Sequence, residues 1–220
     1  MNQFIGYGKQ WIGEQDIKQV CDVLKTDFLT QGPKVKEFED KICEYTGAKS
    51  CVALANGTAA LHLAVAALDI TNGKEAITSP NTFMATSNAM IYNHLKPVFA
   101  DIDTKTYCIS TDEIKKRITP HTKLLIPVHF AGQVAEMNNI KQIAEENNLH
   151  VIEDAAHAIG SKYENGKEVG CCQYSDMTIF SFHPVKTITT GEGGAITTNK
   201  KELYEKLLML RSHGITRDAN

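Results

Sequence analysis

Apolar positions along the chain follow two rhythms. Some recur at intervals of three to four residues, as on one face of a helix, and others form short unbroken runs suited to buried strands. Glu14 to Leu24 reads as a helix with Ile17, Val20, Cys21 and Leu24 on one face, and Lys34 to Tyr45 as a second with Val35, Phe38 and Ile42. Thr58 to Leu68, Thr82 to Tyr92, Glu136 to Asn147 and Lys200 to Arg211 complete the predicted helices. The strands are predicted at Cys51 to Leu54, Ala76 to Ser79, Pro97 to Ala100, Leu124 to Val128, His150 to Glu153, Met177 to Phe182 and Gly194 to Thr198. Alternation of the two kinds predicts βαβ units: an α/β architecture with a mostly parallel central sheet sandwiched by helices. In such sheets ligands gather beyond the carboxyl ends of the strands, so the residues just after each strand carry the functional information.

Composition narrows the classes without deciding among them. The 220 residues are 42% hydrophobic and 22% charged, with 23 Lys+Arg against 26 Asp+Glu and a net charge of −3. That excludes disorder, collagen and coiled coil for the whole chain and gives no reason to expect a nucleic-acid or membrane partner. No apolar run approaches the length of a membrane helix, and Met1 to Trp11 lacks the basic and apolar regions of a signal peptide. The expected compartment is the cytoplasm. The six cysteines, Cys21, Cys43, Cys51, Cys108, Cys171 and Cys172, have no C-x-x-C pairing and read as reduced thiols, with no metal site expected.

Four strand ends carry unusual chemistry. Asn56-Gly57-Thr58-Ala59 joins a strand to a helix. With Thr58 as cap, the N–H groups of Thr58 and Ala59 suit a phosphate, although an ordinary capped helix reads the same way. Val151-Ile152-Glu153-Asp154-Ala155-Ala156-His157 ends an apolar run in two carboxylates, and strand alternation puts Asp154 and Ala156 on one side. Asp154 could equally cap a helix. Phe180-Ser181-Phe182-His183-Pro184-Val185-Lys186 delivers a lysine into a loop rich in Thr and Gly. At a sheet mouth such an amine loses basicity and becomes nucleophilic, whereas on the surface it would be inert. Phe83, near a predicted helix start, is either a core aromatic or a lid over a planar ligand. Neither a Walker loop nor a dinucleotide fingerprint is present, since Gly191 to Gly194 precedes a strand instead of opening a helix.

One ligand satisfies all four places. A flat pyridine ring needs a carboxylate at its nitrogen, an amine for its aldehyde, an anion site and two faces. Asp154, Lys186, the Thr58 helix start with Ser181, and Phe83 with Ala156 supply them, which points to pyridoxal 5′-phosphate.

The same segments resemble the DegT/DnrJ/EryC1/StrS family of sugar aminotransferases. The likeness runs from Tyr7-Gly8-Lys9-Gln10-Trp11-Ile12 to Arg211-Ser212-His213-Gly214-Ile215-Thr216-Arg217-Asp218, and takes in Leu29-Thr30-Gln31-Gly32-Pro33, Asn56-Gly57-Thr58-Ala59-Ala60-Leu61-His62 and Pro127-Val128-His129-Phe130-Ala131-Gly132-Gln133. The resemblance implies a fold-type-I pyridoxal-phosphate transferase large domain. It implies that Lys186 binds the cofactor aldehyde and shuttles a proton, and that Asp154 pairs with the pyridinium nitrogen. His157 would lie near the phenolic oxygen; Thr58, Ala59 and Ser181 would contact the phosphate, and Phe83 the ring. Tyr7 and His129 are substrate candidates. A branch of the family that removes a hydroxyl group carries histidine in place of the lysine, so Lys186 favours transamination.

The implied reaction moves an amino group from an amino acid, glutamate in the family, to the 4-keto carbon of a UDP-linked deoxysugar. Another keto-sugar aminated at C3 or C4, or an inactive large-domain fragment, stays open. The family works as a homodimer and continues into a small C-terminal domain, whereas this chain stops at Asn220. The expectation is an N-terminal segment and cofactor-binding large domain over 1–220, with the small domain absent.

Overall fold

A computed structural model describes residues 8–71 and 73–215. The expected alternation is present. Helix α1 (Glu14–Leu24) and α2 (Pro33–Thr46) precede strand β1 (Ser50–Leu54), α3 (Gly57–Ala67), β2 (Glu75–Thr78), α4 (Ala85–Tyr92) and β3 (Lys96–Phe99). Then follow α5 (Thr111–Arg117), β4 (Thr122–Ile126), α6 (Met137–Asn147), β5 (His150–Asp154), β6 (Met177–Ser181), β7 (Gly194–Thr198) and α7 (Lys201–Arg211).

The seven strands form one sheet in the order β1-β7-β6-β5-β4-β2-β3. Pairings from β3 through β6 are parallel, and only β7 runs against its neighbours β1 and β6. The amino end of β7 therefore lies at the same edge as the carboxyl ends of the other strands. That brings the loop from Ser181 to Gly194 back to the edge from which it left.

Each strand sends alternate residues to opposite faces. Leu125, Val151, Phe180 and Ala195 pack on the side of α2, α5 and α6, together with Ile42, Ile114, Ile140 and Ile143. Leu124, Ile126, Ile152, Ile179 and Ile196 pack on the side of α3, α4 and α7, with Leu61, Val65, Met90 and Leu207. Both faces are covered, which is why the central strands read as continuous apolar runs.

Three elements depart from the sequence reading. Helix α4 starts at Ala85 instead of Thr82, because the chain bends through Pro80 to Thr82 and first turns back on itself where the Thr86 N–H bonds the Phe83 carbonyl. Strand β4 ends at Ile126: Pro127 has no N–H, and Val128 makes only an isolated bridge to Asp154. Helix α5 was not expected. Its one buried residue, Ile114, leaves no periodicity to detect, yet Ser110 accepts the Glu113 N–H as a cap. Helix α1 lies where expected, but its apolar face (Ile17, Val20, Leu24) is exposed.

Candidate active site

The carboxyl edge of the sheet encloses a cavity of about 500 Å³. Each wall comes from the end of a different strand. The turn after β1 brings Asn56, Gly57 and Thr58, and the segment after β2 brings Thr82, Phe83 and Thr86. Val128 and Phe130 follow β4, Asp154, Ala156 and His157 come from the end of β5, and Ser181, His183, Val185 and Lys186 from the end of β6. Glu192, just before β7, closes the rim.

Asp154 is buried, and each carboxylate oxygen is held by a neutral donor. Thr86 Oγ1 donates to Oδ2 at 2.7 Å, and the Ala156 N–H donates to Oδ1 at 3.2 Å. Because the Thr86 hydroxyl proton is committed to Asp154, the 2.8 Å contact between Thr82 and Thr86 has Thr82 as donor. The carboxylate is oriented by these donors, with no cation in contact among the described residues.

Lys186 is half-buried in the same cavity. Burial lowers its pKa below the ordinary lysine value, and the Asp154 charge partly opposes that. His157 is lowered as well, first by burial and then by the Lys186 charge, again against Asp154. A neutral imidazole and a weakened amine therefore face one carboxylate across a partly desolvated space.

The phosphate candidates sit where α3 meets β6. Cβ added to Gly57 would lie 2.8 Å from Ser181 Cβ, and Cβ added to Gly194 would lie 2.3 Å from the Asn56 carbonyl oxygen. Glycine at both positions lets the start of α3 close onto the two strands. The cap is Asn56, not Thr58: Asn56 Oδ1 accepts the Ala59 N–H at 2.8 Å. The N–H of Ala59, expected at the phosphate, is taken by this cap, and Ala59 is not among the residues lining the cavity. Thr58 and Ser181 do line it.

His129, the other substrate candidate, lies apart from the cavity lining. It is fully buried, with Nε2 2.8 Å from Glu153 Oε2 and Nδ1 accepting the Ala135 N–H at 3.2 Å, and it does not reach the cavity. Tyr7 lies outside the described residues. Phe83 stands at the cavity mouth and is 73% exposed, so it is no core aromatic. Sequence reasoning passed over Thr86. Its signal, a hydroxyl three residues beyond the flagged Phe83, has meaning only once α4 is seen against β5.

The DegT/DnrJ/EryC1/StrS aminotransferase family model matches residues 10–220. The chain belongs to this family. Family members and their solved structures use pyridoxal phosphate, and the residues here fit that group: an oriented carboxylate, a half-buried lysine and a close-packed helix start share one cavity. The chain is similar to the uncharacterized protein MJ1066 of Methanocaldococcus jannaschii, 50% identical over 94% of this chain and 53% of that protein. It is also similar to Helicobacter pylori PseC, an aminotransferase involved in the biosynthesis of pseudoaminic acid. The TM-score is 0.92 and the identity 34%, over 97% of this chain and 57% of that one. The pyridoxal-phosphate form of the sugar aminotransferase Spr1654 from Streptococcus pneumoniae matches with TM-score 0.92 and 32% identity, over 98% and 60% of the two chains. The chain thus spans little more than half the length of these relatives.

Proposed function

We propose that residues 1–220 form the N-terminal segment and cofactor-binding large domain of a pyridoxal-phosphate-dependent nucleotide-sugar aminotransferase. It would transfer an amino group from glutamate to the 4-keto carbon of a UDP-linked deoxysugar. The likeness to PseC supports the pseudaminic acid route as the setting and UDP-4-amino-4,6-dideoxy-N-acetyl-β-L-altrosamine as the product. The carrying observation is that Asp154 and Lys186, from neighbouring strand ends, line one cavity.

When bound, the cofactor supplies an electron sink for the bond electrons at the donor's Cα. The chain's residues do the rest. Asp154, fixed by Thr86 and Ala156, holds the proton on the ring nitrogen. Lys186 Nζ would hold the cofactor through its aldehyde and would serve as the base and acid that moves the proton at the donor's Cα. The donor leaves as a 2-oxo acid after gaining a water oxygen, and the sugar's keto oxygen leaves as water, so no external oxidant or reductant is needed. Of the residues lining the cavity, Thr58 and Ser181 would hold the phosphate, His157 would offer a hydrogen bond to the ring oxygen and Phe83 would cover the ring.

A homodimer in the cytoplasm is the proposed working state. Exposed Phe83, Met84, Val185 and Ile188 near the cavity mouth support it, being apolar surface that a second copy would cover. Among the described residues no helix is long and apolar enough to cross a membrane.

The test is to add pyridoxal phosphate to the purified chain, follow its visible absorbance, and then supply glutamate with a panel of UDP-linked 3-keto and 4-keto sugars. A bound chromophore and amination of the 4-keto-6-deoxy compound are expected. Amination only of a 3-keto sugar would move the substrate assignment, and no chromophore would remove the proposal.

A further inference from the structure

Next to Asp154, Glu153 points into the opposite side of the sheet, where no water reaches it. Four groups donate to its carboxylate: His129 Nε2 at 2.8 Å and the Tyr163 hydroxyl at 2.7 Å on one oxygen, Ser175 Oγ at 2.5 Å and Thr178 Oγ1 at 3.1 Å on the other. Burial would raise its pKa, but these hydrogen bonds outweigh burial and keep the carboxyl below its ordinary value. A buried charge so fully satisfied is weak evidence of net stability, and in some proteins such a group specifies an arrangement.

What it specifies can be followed bond by bond. His129 Nδ1 accepts the Ala135 N–H, so its proton sits on Nε2 and is given to Glu153. The His129 N–H bonds the Asp154 carbonyl at 3.0 Å, and the Asp154 N–H bonds the Pro127 carbonyl at 2.9 Å. His129 thus begins the turn Phe130–Gly132 from a fixed point. Ala131 takes a left-handed backbone there, with φ of 52°, and its N–H donates to His157 Nδ1 at 3.3 Å. The far end of the turn is fastened by Ser161 Oγ, which donates to the Gly132 carbonyl at 2.7 Å. His157 itself lines the cavity.

We propose that Glu153 and His129 are positioning residues: by anchoring the Phe130–Gly132 turn they keep the Ala131 N–H on His157 Nδ1, and so fix His157 as the Nε2–H tautomer towards the cavity. Imidazole has no intrinsic obligation to that tautomer. The wrong one would present a lone pair where an oxyanion of the cofactor is to be received. That consequence rests on the proposed function, whereas the tautomer itself does not.

The experiment is nitrogen-15 NMR of the imidazoles in the cofactor-free chain, with the His157 signals identified by their loss in His157→Gln. The wild-type chain is expected to show His157 protonated on Nε2 alone. In His129→Leu, and in His129→Asn, which can still accept the Ala135 N–H but cannot reach Glu153, the single tautomer should be lost. His129→Gln, which returns an N–H near the original Nε2, should restore it. Absorbance of added pyridoxal phosphate should shift in the first two variants and return in the third. A merely structural pair would lower the melting temperature of folded variants and leave the His157 signals unmoved, which would overturn the proposal. Wild-type His157 protonated on Nδ1, or mixed, would overturn it whether or not any variant folds. Failure to bind pyridoxal phosphate with the tautomer behaviour intact would remove the functional reading and leave this one standing.

Discussion

Two aspartates at opposite edges of the sheet show how the same side chain is made inert or available. Asp176, just before β6 at the amino edge, accepts from His150 Nδ1 at 3.1 Å, from the Val151 N–H at 2.9 Å and from Lys200. Burial works to raise its pKa, but these partners win and hold it at about 2. Asp154, at the carboxyl edge, has hydrogen bonds from Thr86 and Ala156, both neutral, and shares its cavity with Lys186 without an ion pair among the described residues. At one edge the Lys200 cation is spent on the fold. At the other, charge is oriented and left for a ligand. The edge that ligands favour in parallel sheets is the edge where the electrostatics stay unfinished.

The comparison can be broken most violently at Lys186. Lys186→Ala should abolish capture of pyridoxal phosphate and lower turnover on the order of 10³-fold or more, read by absorbance and by amino-sugar formation. Retained turnover would take the lysine out of its role. Asp154→Asn keeps shape and loses charge. It should still bind the cofactor while proton abstraction slows on the order of 10²-fold or more, measured as the rate of the first half-reaction with glutamate.

At the amino edge the effect should fall on stability alone. The folded pKa of Asp176 lies below its ordinary 3.8, so its contribution is present above about pH 4 and is lost as pH falls towards 2. The half-exposed partners screen part of it, leaving about 2 kcal/mol at neutral pH. Asp176→Asn should melt roughly 4–8 °C lower at pH 7, converge with wild type near pH 2, and bind cofactor normally. A cofactor defect in this variant would erase the contrast between the edges.

Smaller changes sharpen it. Thr86→Val removes one donor from Asp154 and should cost about tenfold in the first half-reaction, with Thr86→Ser restoring most of it. Aldehyde capture needs the neutral amine, so it should rise with pH through a midpoint below the ordinary 10.5 of lysine. Because the Asp154 charge raises the Lys186 pKa, Asp154→Asn should move that midpoint lower still. A midpoint moving upward would contradict the electrostatic picture.

Much of this was legible in the chain. Helix α1 and strand β7 have their predicted limits because each is bounded by clear local signals, and the central strands show themselves as apolar runs buried on both faces. Asp154, Lys186 and Ser181 were visible because strand ends point at the ligand edge. Two of the three residues that read differently in the structure depend on contacts distant in sequence, His129 and Thr86. The third is local: Asn56, the stronger N-cap type, takes the cap from Thr58 and accepts the Ala59 N–H. His129 lies beside a flagged strand end, yet its ring turns inward to Glu153, 24 residues away. Thr86 becomes meaningful only across 68 residues of chain. Local pattern carries the elements and the edge, while long-range hydrogen bonds decide which polar side chains at that edge stay free.

The central claim is that the Lys186 amine and an aldehyde of pyridoxal phosphate meet in the cavity that holds Asp154. The most direct measurement is borohydride reduction of the chain mixed with pyridoxal phosphate, followed by peptide mass spectrometry. The account predicts one stable adduct, on Lys186, absent from Lys186→Ala. An adduct spread over surface lysines with Lys186 unmodified would contradict it.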